Sequence, residues 1–251
     1  MRNIRLLIAF DGTGYCGWQR QRHGVTIQGE IEDRLATMTG EQVVLHGAGR
    51  TDAGVHAEGM VANFHTGSGI PCPAFYNGLN SMLPAAIRIL ATDEVGESFH
   101  ARFSARGKHY LYRLCCGPVQ MPQHRLYSLH HPAAIDVSAV RACLSMIEGT
   151  HDFASFENTG SRDRTMETGR GSVRTIYTAD LHVRSQYEYE FSFIGDGFLR
   201  QMVRNMVGTL LEVGRGKRSV DGFRQALLDR ERAAAGPTAP ACGLTLKTVL
   251  Y

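Results

Sequence analysis

Lysine is scarce in this sequence of 251 residues. Only three of its 27 basic residues are lysines, Lys108, Lys217 and Lys247, so the other 24 are arginines. Arginine makes bidentate contacts to phosphate and stacks on planar rings better than lysine does. The composition therefore favours an anionic partner, although a bias towards GC-rich codons explains it equally well. The net charge of +3 permits such a partner without requiring one.

Several common site motifs are also missing. None of the six cysteines stands in a Cys-x-x-Cys pair, and no group of cysteines and histidines has the spacing of a zinc site. Neither the phosphate loop of nucleotide hydrolases nor the Gly-x-Gly-x-x-Gly motif of dinucleotide-binding proteins occurs. These absences argue against a zinc protein, a P-loop enzyme and a Rossmann-type dehydrogenase.

Long hydrophobic runs are absent as well. No stretch reaches the ~18 apolar residues of a membrane span. The apolar run that ends at Phe10 is too short for a signal peptide and is interrupted by Arg5. Hydrophobic residues make up 43% and charged residues 20% of the chain, which is typical of a globular protein. We therefore expect a folded protein of the reducing cytoplasm with free thiols.

The first 95 residues show an alternation of strand and helix signals. Thr26 and Gly40 have the positions of a helix N-cap and a helix terminator. We predict strands over 4–10, 42–47, 60–65 and 87–91 and helices over 27–38 and 71–82. This order, β-α-β-β-α-β, is the ferredoxin-like pattern.

The rest of the chain repeats this outline without a visible sequence repeat. We predict strands over 104–116, 173–183, 187–194 and 244–251 and helices over 137–148, 198–212 and 220–228. The polar segment 157–171 has the composition of a mobile surface loop. We therefore expect an α/β (α+β) protein with two ferredoxin-like halves, 1–103 and 104–251.

The segment Gly49–Ala57 holds the clearest candidate for chemistry. It places Asp52 between two glycines, with Arg50 two residues earlier. A carboxylate on a glycine-rich loop can act as a nucleophile or a general base, and a nearby arginine would keep it ionised. From spacing alone, however, an aspartate-stabilised turn explains the same residues better.

A resemblance that extends across the chain favours a reactive Asp52 over a plain turn. Gly49-Arg50-Thr51-Asp52-Ala53-Gly54-Val55-His56-Ala57 resembles the signature of the TruA-type tRNA pseudouridine synthases. Further segments resemble the same family in the same order: Asp11-Gly12-Thr13, Gly17-Trp18-Gln19-Arg20-Gln21, Phe99-His100-Ala101-Arg102-Phe103, Tyr110-Leu111-Tyr112, the stretch from Gly197 to Gly208, Gly236-Pro237-Thr238-Ala239-Pro240 and Gly243-Leu244.

The resemblance implies an activity. Members of this family isomerise uridine to pseudouridine at positions 38, 39 and 40 of the tRNA anticodon stem-loop, as homodimers, and need neither a metal nor another cofactor. It also implies that the two halves join their mainly antiparallel sheets around an RNA-binding cleft. The target base has to leave its stack, which costs a few kcal/mol.

The resemblance also implies roles for four residues. Asp52 starts the reaction, by attacking the sugar or the base or by removing a proton. Tyr110 packs against the flipped base, Arg204 pairs with Asp52, and Arg50 fills the space that the base leaves. Tyr112, two residues along the same predicted strand face, is expected to be a packing residue.

The roles of other residues near these motifs are still open. His56 is expected to be structural, and Arg200, four residues before Arg204 on the predicted helix face, is either solvated or a phosphate contact. Trp18 either contacts RNA from its basic, glycine-rich loop or packs into the core. Two rival functions also remain: an RNA-binding module without activity, and an aspartate-based glycoside or nucleoside hydrolase, although such hydrolases usually use two carboxylates.

Overall fold

The computed structural model describes residues 1–158 and 171–251. The chain divides into two compact units. The first consists of Met1–Arg106 and Thr245–Tyr251, and the second is Gly107–Leu244. Most of the loop predicted over 157–171 lies outside the described residues.

The first unit has the predicted element order β-α-β-β-α-β, followed by a strand from the end of the sequence. Its elements are β1 (Arg2–Phe10), α1 (Ile27–Thr39), β2 (His46–Gly47), β3 (His56–Thr66), α2 (Cys72–Met82), β4 (Ile87–Val95) and β10 (Leu244–Leu250). The central strand β1 pairs antiparallel with β3 and with β4. On β3, β2 pairs antiparallel and β10 pairs parallel.

Side-chain alternation and helix capping explain these elements. Along β1, Ile4, Leu6 and Ile8 are fully buried on one face, whereas Arg5 on the other face forms an ion pair with Asp93. The expected cap of α1 is confirmed, because the Thr26 hydroxyl accepts a hydrogen bond from the backbone N–H of Gly29. The helix ends at Gly40, whose left-handed backbone (φ 72°) suits glycine.

The strand predicted over 42–47 is present but shorter, because only His46 and Gly47 pair with β3. Side chains of α1 bind the preceding backbone instead. The Glu32 carboxylate accepts from the backbone N–H of Leu45, and the Gln28 amide donates to the Leu45 carbonyl. These bonds satisfy the backbone groups that a longer strand would have paired.

The second unit is also a mainly antiparallel sheet with helices. Its elements are β5 (Gly107–Cys116), β6 (Leu129–His131), α3 (Val137–Ile147), β7 (Gly149–Asp152), β8 (Val173–Val183), β9 (Glu188–Gly195), α4 (Met202–Gly214) and α5 (Val220–Asp229). The antiparallel order is β5-β9-β8-β7, and β6 pairs parallel with β5. The sequence did not predict β6 and β7, since strands of three and four residues leave little pattern to read.

The helix predicted over 198–212 begins later, at Met202. Gln201 takes a left-handed backbone conformation (φ 60°), which separates the helix from the residues before it. Arg200 therefore lies in a turn and is exposed, so the prediction that it shares a helix face with Arg204 is wrong.

All six cysteines are free thiols. Burial raises the pKa of both Cys116 and Cys143 to about 11, which keeps these two thiols protonated near neutral pH. Within the described part of the chain, the helices are too short or too polar to cross a membrane.

A close backbone contact fixes the segment 236–240 against α4. A methyl group added at Gly208 would lie 1.7 Å from the Pro237 carbonyl oxygen. The buried Thr209 hydroxyl accepts a hydrogen bond from the Gly236 N–H, and the Thr238 hydroxyl donates to the Asn205 side chain. Glycine is therefore required at position 208 for packing.

We expect the substitution Gly208→Ala to destabilise the protein by about 1–3 kcal/mol, because it overpacks this contact. A glycine-to-alanine change in the middle of a helix normally stabilises a protein by about 1 kcal/mol. The sign of the change in unfolding free energy therefore distinguishes overpacking from this ordinary effect. Urea or thermal unfolding measures it. Gly69→Ala is the control, since the added methyl group would meet no atom within 4 Å. Equal stability of the two variants would contradict this packing role.

Candidate active site

Asp52 lies in the loop that joins β2 to β3. The backbone N–H of Val55 donates to the Asp52 carbonyl (3.2 Å), and Gly54 has a positive φ of 77°. This is the turn that the spacing of the glycines predicts. The Asp52 side chain is half-buried, whereas Arg50 is exposed.

The loop 11–18 packs directly on this turn. A methyl group added at Gly12 would lie 2.0 Å from the Val55 carbonyl oxygen, and one at Gly17 would lie 2.5 Å from the Thr51 carbonyl oxygen. The backbone N–H of Trp18 donates to the same Thr51 oxygen at 3.1 Å. The backbone on both sides of Asp52 is therefore held by a second loop that tolerates no side chain at these two positions.

His56 is a structural part of the same arrangement, as predicted. It is 4% exposed, and its Nδ1 accepts a hydrogen bond from the Gly12 N–H at 3.1 Å. The same Nδ1 lies 3.1 Å from a carboxylate oxygen of Asp11, so the ring contacts two consecutive residues of the first loop. The imidazole thus fastens the first loop to the start of β3.

Trp18 packs into the core, which resolves the two alternatives left by its sequence context. Its side chain is 2% exposed, and its ring lies against the Cα of Gly47 and near Phe10. The neighbouring Arg20 forms ion pairs with Glu32 and Asp33 of α1. These side chains therefore hold the loop in place within the first unit.

The two tyrosines of β5 differ in their surroundings. Tyr112 is fully buried and donates its hydroxyl to the Pro240 carbonyl at 2.9 Å, which is the packing role predicted for it. Burial raises the pKa of Tyr112 above its ordinary value, so the hydroxyl stays protonated. Tyr110 is 8% exposed and packs edge-to-face on Phe198, with ring centroids 5.1 Å apart.

Arg204 stands on the first turn of α4 and is half-buried. Its Nε donates to the Ala239 carbonyl at 2.7 Å, and the Ala239 N–H donates back to the Arg204 carbonyl at 3.0 Å. The next residue, Pro240, accepts the Tyr112 hydroxyl. The segment 236–240 thus positions Arg204 and Tyr112 together.

The sequence did not predict this positioning role of residues 236–240. Its signal is the pair of polar residues Asn205 and Thr209, which are both 0% exposed in a mainly apolar helix whose other two polar side chains, Arg204 and Glu212, are partly exposed. Arg232 and Thr238 each bind the Asn205 side chain. Buried polar side chains need partners, so they mark the place where a loop has to bind.

The candidate residues are distributed over both units. Arg50 and Asp52 belong to the first unit, and Tyr110 and Arg204 to the second. Asp52 is the half-buried carboxylate of a fixed turn, which suits a nucleophile or general base, and Arg204 is a cation whose position is set by a backbone carbonyl.

Comparison with known proteins identifies the family. The family model described as tRNA pseudouridine synthase matches residues 6–104 and 144–251. The "tRNA pseudouridine synthase A 1" of Desulfotalea psychrophila is 60% identical over 251 residues, covering all of both chains. The tRNA pseudouridine synthase A of Acetivibrio thermocellus is 46% identical over 253 residues, again covering all of both chains. That of Geobacter sp. strain M21 is 44% identical over 252 residues, covering all of this chain and 99% of its own. The chain therefore belongs to the tRNA pseudouridine synthase family.

Proposed function

We propose that this protein converts uridine to pseudouridine at positions 38, 39 and 40 of the tRNA anticodon stem-loop. The observation that carries the proposal is the 60% identity to a tRNA pseudouridine synthase over the full length of both chains. The three positions rest on the resemblance of the Gly49–Ala57 signature and the accompanying motifs. The reaction breaks the C1′–N1 bond, forms a C1′–C5 bond, removes the proton from C5 and adds one to N1. It is an isomerisation that needs no redox change.

Asp52 is the residue that starts this reaction. Its support is a carboxylate on a turn that two glycine contacts hold in place. Pre-positioning matters because a misplacement of about 1 Å can cost on the order of 10²-fold in rate. Attack on the sugar, attack on the base and proton removal all use the same ionised carboxylate.

Tyr110, Arg204 and Arg50 complete the proposed site. Tyr110 offers a ring on which an extruded uracil stacks, and Arg204 pairs with the Asp52 carboxylate and orients it. The bond from Arg204 to the Ala239 carbonyl supports this role, because it fixes the guanidinium. The exposure of Arg50 suits a side chain that enters the space left by the flipped base.

The architecture proposed with this activity has two ferredoxin-like halves, 1–103 and 104–251, whose sheets join around a cleft for RNA. The compact units differ from these bounds, since residues 104–106 and 245–251 belong to the first unit. The element order β-α-β-β-α-β of the first unit supports this architecture. The homodimer rests on the family resemblance. We place the protein in the cytoplasm, where its six free thiols stay reduced.

We expect Asp52→Asn to lower pseudouridine formation on unmodified tRNA on the order of 10²–10⁴-fold, because the amide is neither a nucleophile nor a base. Asp221→Asn is the matched control, since it makes the same change at an exposed carboxylate of α5 that pairs with Arg224. Mapping pseudouridine in the tRNA measures both. An Asp52→Asn variant as active as wild type, or no pseudouridine in the anticodon arm with wild type, would refute the proposal.

Tyr110→Ala separates binding from turnover. Loss of a stacked ring costs roughly 1–3 kcal/mol, which corresponds to about 5–150-fold in turnover. We expect tRNA affinity to stay within about 3-fold of wild type, because phosphate contacts dominate binding. Single-turnover rates and filter binding measure the two quantities. Unchanged turnover would remove Tyr110 from the site.

A further inference from the structure

A cavity in the second unit has no role in the proposed reaction. It has a volume of about 330 Å³ and runs along α4 opposite the segment 237–240. Leu129, Leu211, Pro237 and Pro240 contribute apolar surface to it. This volume lies in the range of small-ligand sites, about 300–1,000 Å³, and accommodates one nucleotide but no folded stem.

Two cationic side chains line the same cavity, Arg215 and Lys217. The Nε–H of Arg215 is buried, and none of the described residues accepts a hydrogen bond from it. Across residues 1–158 and 171–251, neither cation has an ion-pair partner. A buried donor of this kind has lost water without gaining a bond, which adds to the cost of holding the Arg215 charge beside the cavity.

Glu212 is the acidic residue among the described residues that line the cavity. Its carboxylate accepts a hydrogen bond from the Arg218 Nε at 3.0 Å and also acts electrostatically on Arg215, so its single charge is shared between two arginines. Burial lowers the pKa of Arg215 from its ordinary value, although the guanidinium remains charged. A bound anion would offset the desolvation of that charge.

We propose that this cavity binds a single nucleotide, with its phosphate at Arg215 and Lys217 and its base against the apolar residues of the wall. Arginine and lysine are the usual phosphate-binding side chains, and bases pack against apolar side chains in nucleotide pockets. The nucleotide is either part of a bound RNA or a free mononucleotide. Binding of a nucleotide of RNA rests on the proposed function, whereas binding of a free mononucleotide does not.

The occupied cavity would touch the segment that positions Arg204. Ala239 lines the cavity, and its carbonyl accepts the Arg204 Nε. Gly208, which packs on the Pro237 carbonyl, lines it as well. A nucleotide here therefore binds behind the arginine that the proposed mechanism uses, within the same unit.

The test compares equilibrium binding by wild type, Arg215→Met and Lys217→Met. Arg224→Met is the matched control, because Arg224 is an exposed arginine of α5 paired with Asp221 and does not line the cavity. One arm measures tRNA affinity at several salt concentrations. The other measures direct binding of uridine monophosphate and of inorganic phosphate. Thermal unfolding establishes whether each variant is folded. If Arg215→Met does not fold, Lys217→Met alone tests the cavity.

For an RNA nucleotide, we expect the slope of log affinity against log salt to fall by about 1 in each cavity variant and to stay unchanged in Arg224→Met. For a free ligand, we expect saturable binding of uridine monophosphate to wild type that drops at least about 10-fold in the cavity variants, the loss of one charged contact. Salt slopes equal to wild type together with no saturable binding would overturn the proposal. Both readouts are independent of turnover, so a failure of pseudouridine formation would be seen separately.

Discussion

The placement of Asp52 depends on the contact of two loop backbones with no side chain between them. Gly12 and Gly17 bring the first loop against the carbonyl oxygens of Val55 and Thr51, at distances that exclude even a methyl group. Hydrogen bonds from Trp18 to Thr51 and from Gly12 to His56 hold the two loops in register. A short turn would otherwise be free to move, so the carboxylate owes its fixed position to this contact.

The second unit uses the same device to position Arg204. Gly208 lets the segment 236–240 lie on α4, and the Ala239 carbonyl then receives the Arg204 side chain. Asn205 and Thr209 anchor that segment from inside the helix face. In both units a candidate site residue is held by a loop that packs closely only because glycine lies at the contact. The constraint therefore acts on the backbone rather than on the side chain of the candidate residue.

The sequence predicted the elements whose signals are local. The cap at Thr26, the end of α1 at Gly40 and the strand Val173–Val183 follow from capping and alternation, and the structure has them. The catalytic candidates came from motif resemblance, because spacing alone favoured a plain turn around Asp52. That turn exists, and its function depends on what surrounds it.

Non-local contacts account for what the sequence did not predict. Side chains of α1 replace strand pairing before His46, and the left-handed Gln201 shortens α4 and removes Arg200 from its face. Trp18 occupies the space over Gly47, where a ring fits because there is no side chain. Each of these outcomes depends on residues distant in sequence, which no local pattern encodes.

The most direct test of the contact between the two loops is the single-turnover rate of pseudouridine formation by Gly17→Ala and Gly14→Ala. Both glycines lie in the first loop with a positive φ, 87° and 80°, so both variants carry similar backbone strain. Only Gly17 contacts the Asp52 turn, whereas a methyl group at Gly14 meets no atom within 4 Å. Because this contact positions Asp52, we expect a rate at least about 10²-fold lower for Gly17→Ala than for Gly14→Ala, with both variants folded and binding tRNA equally. Equal rates for the two variants would contradict this role of the contact.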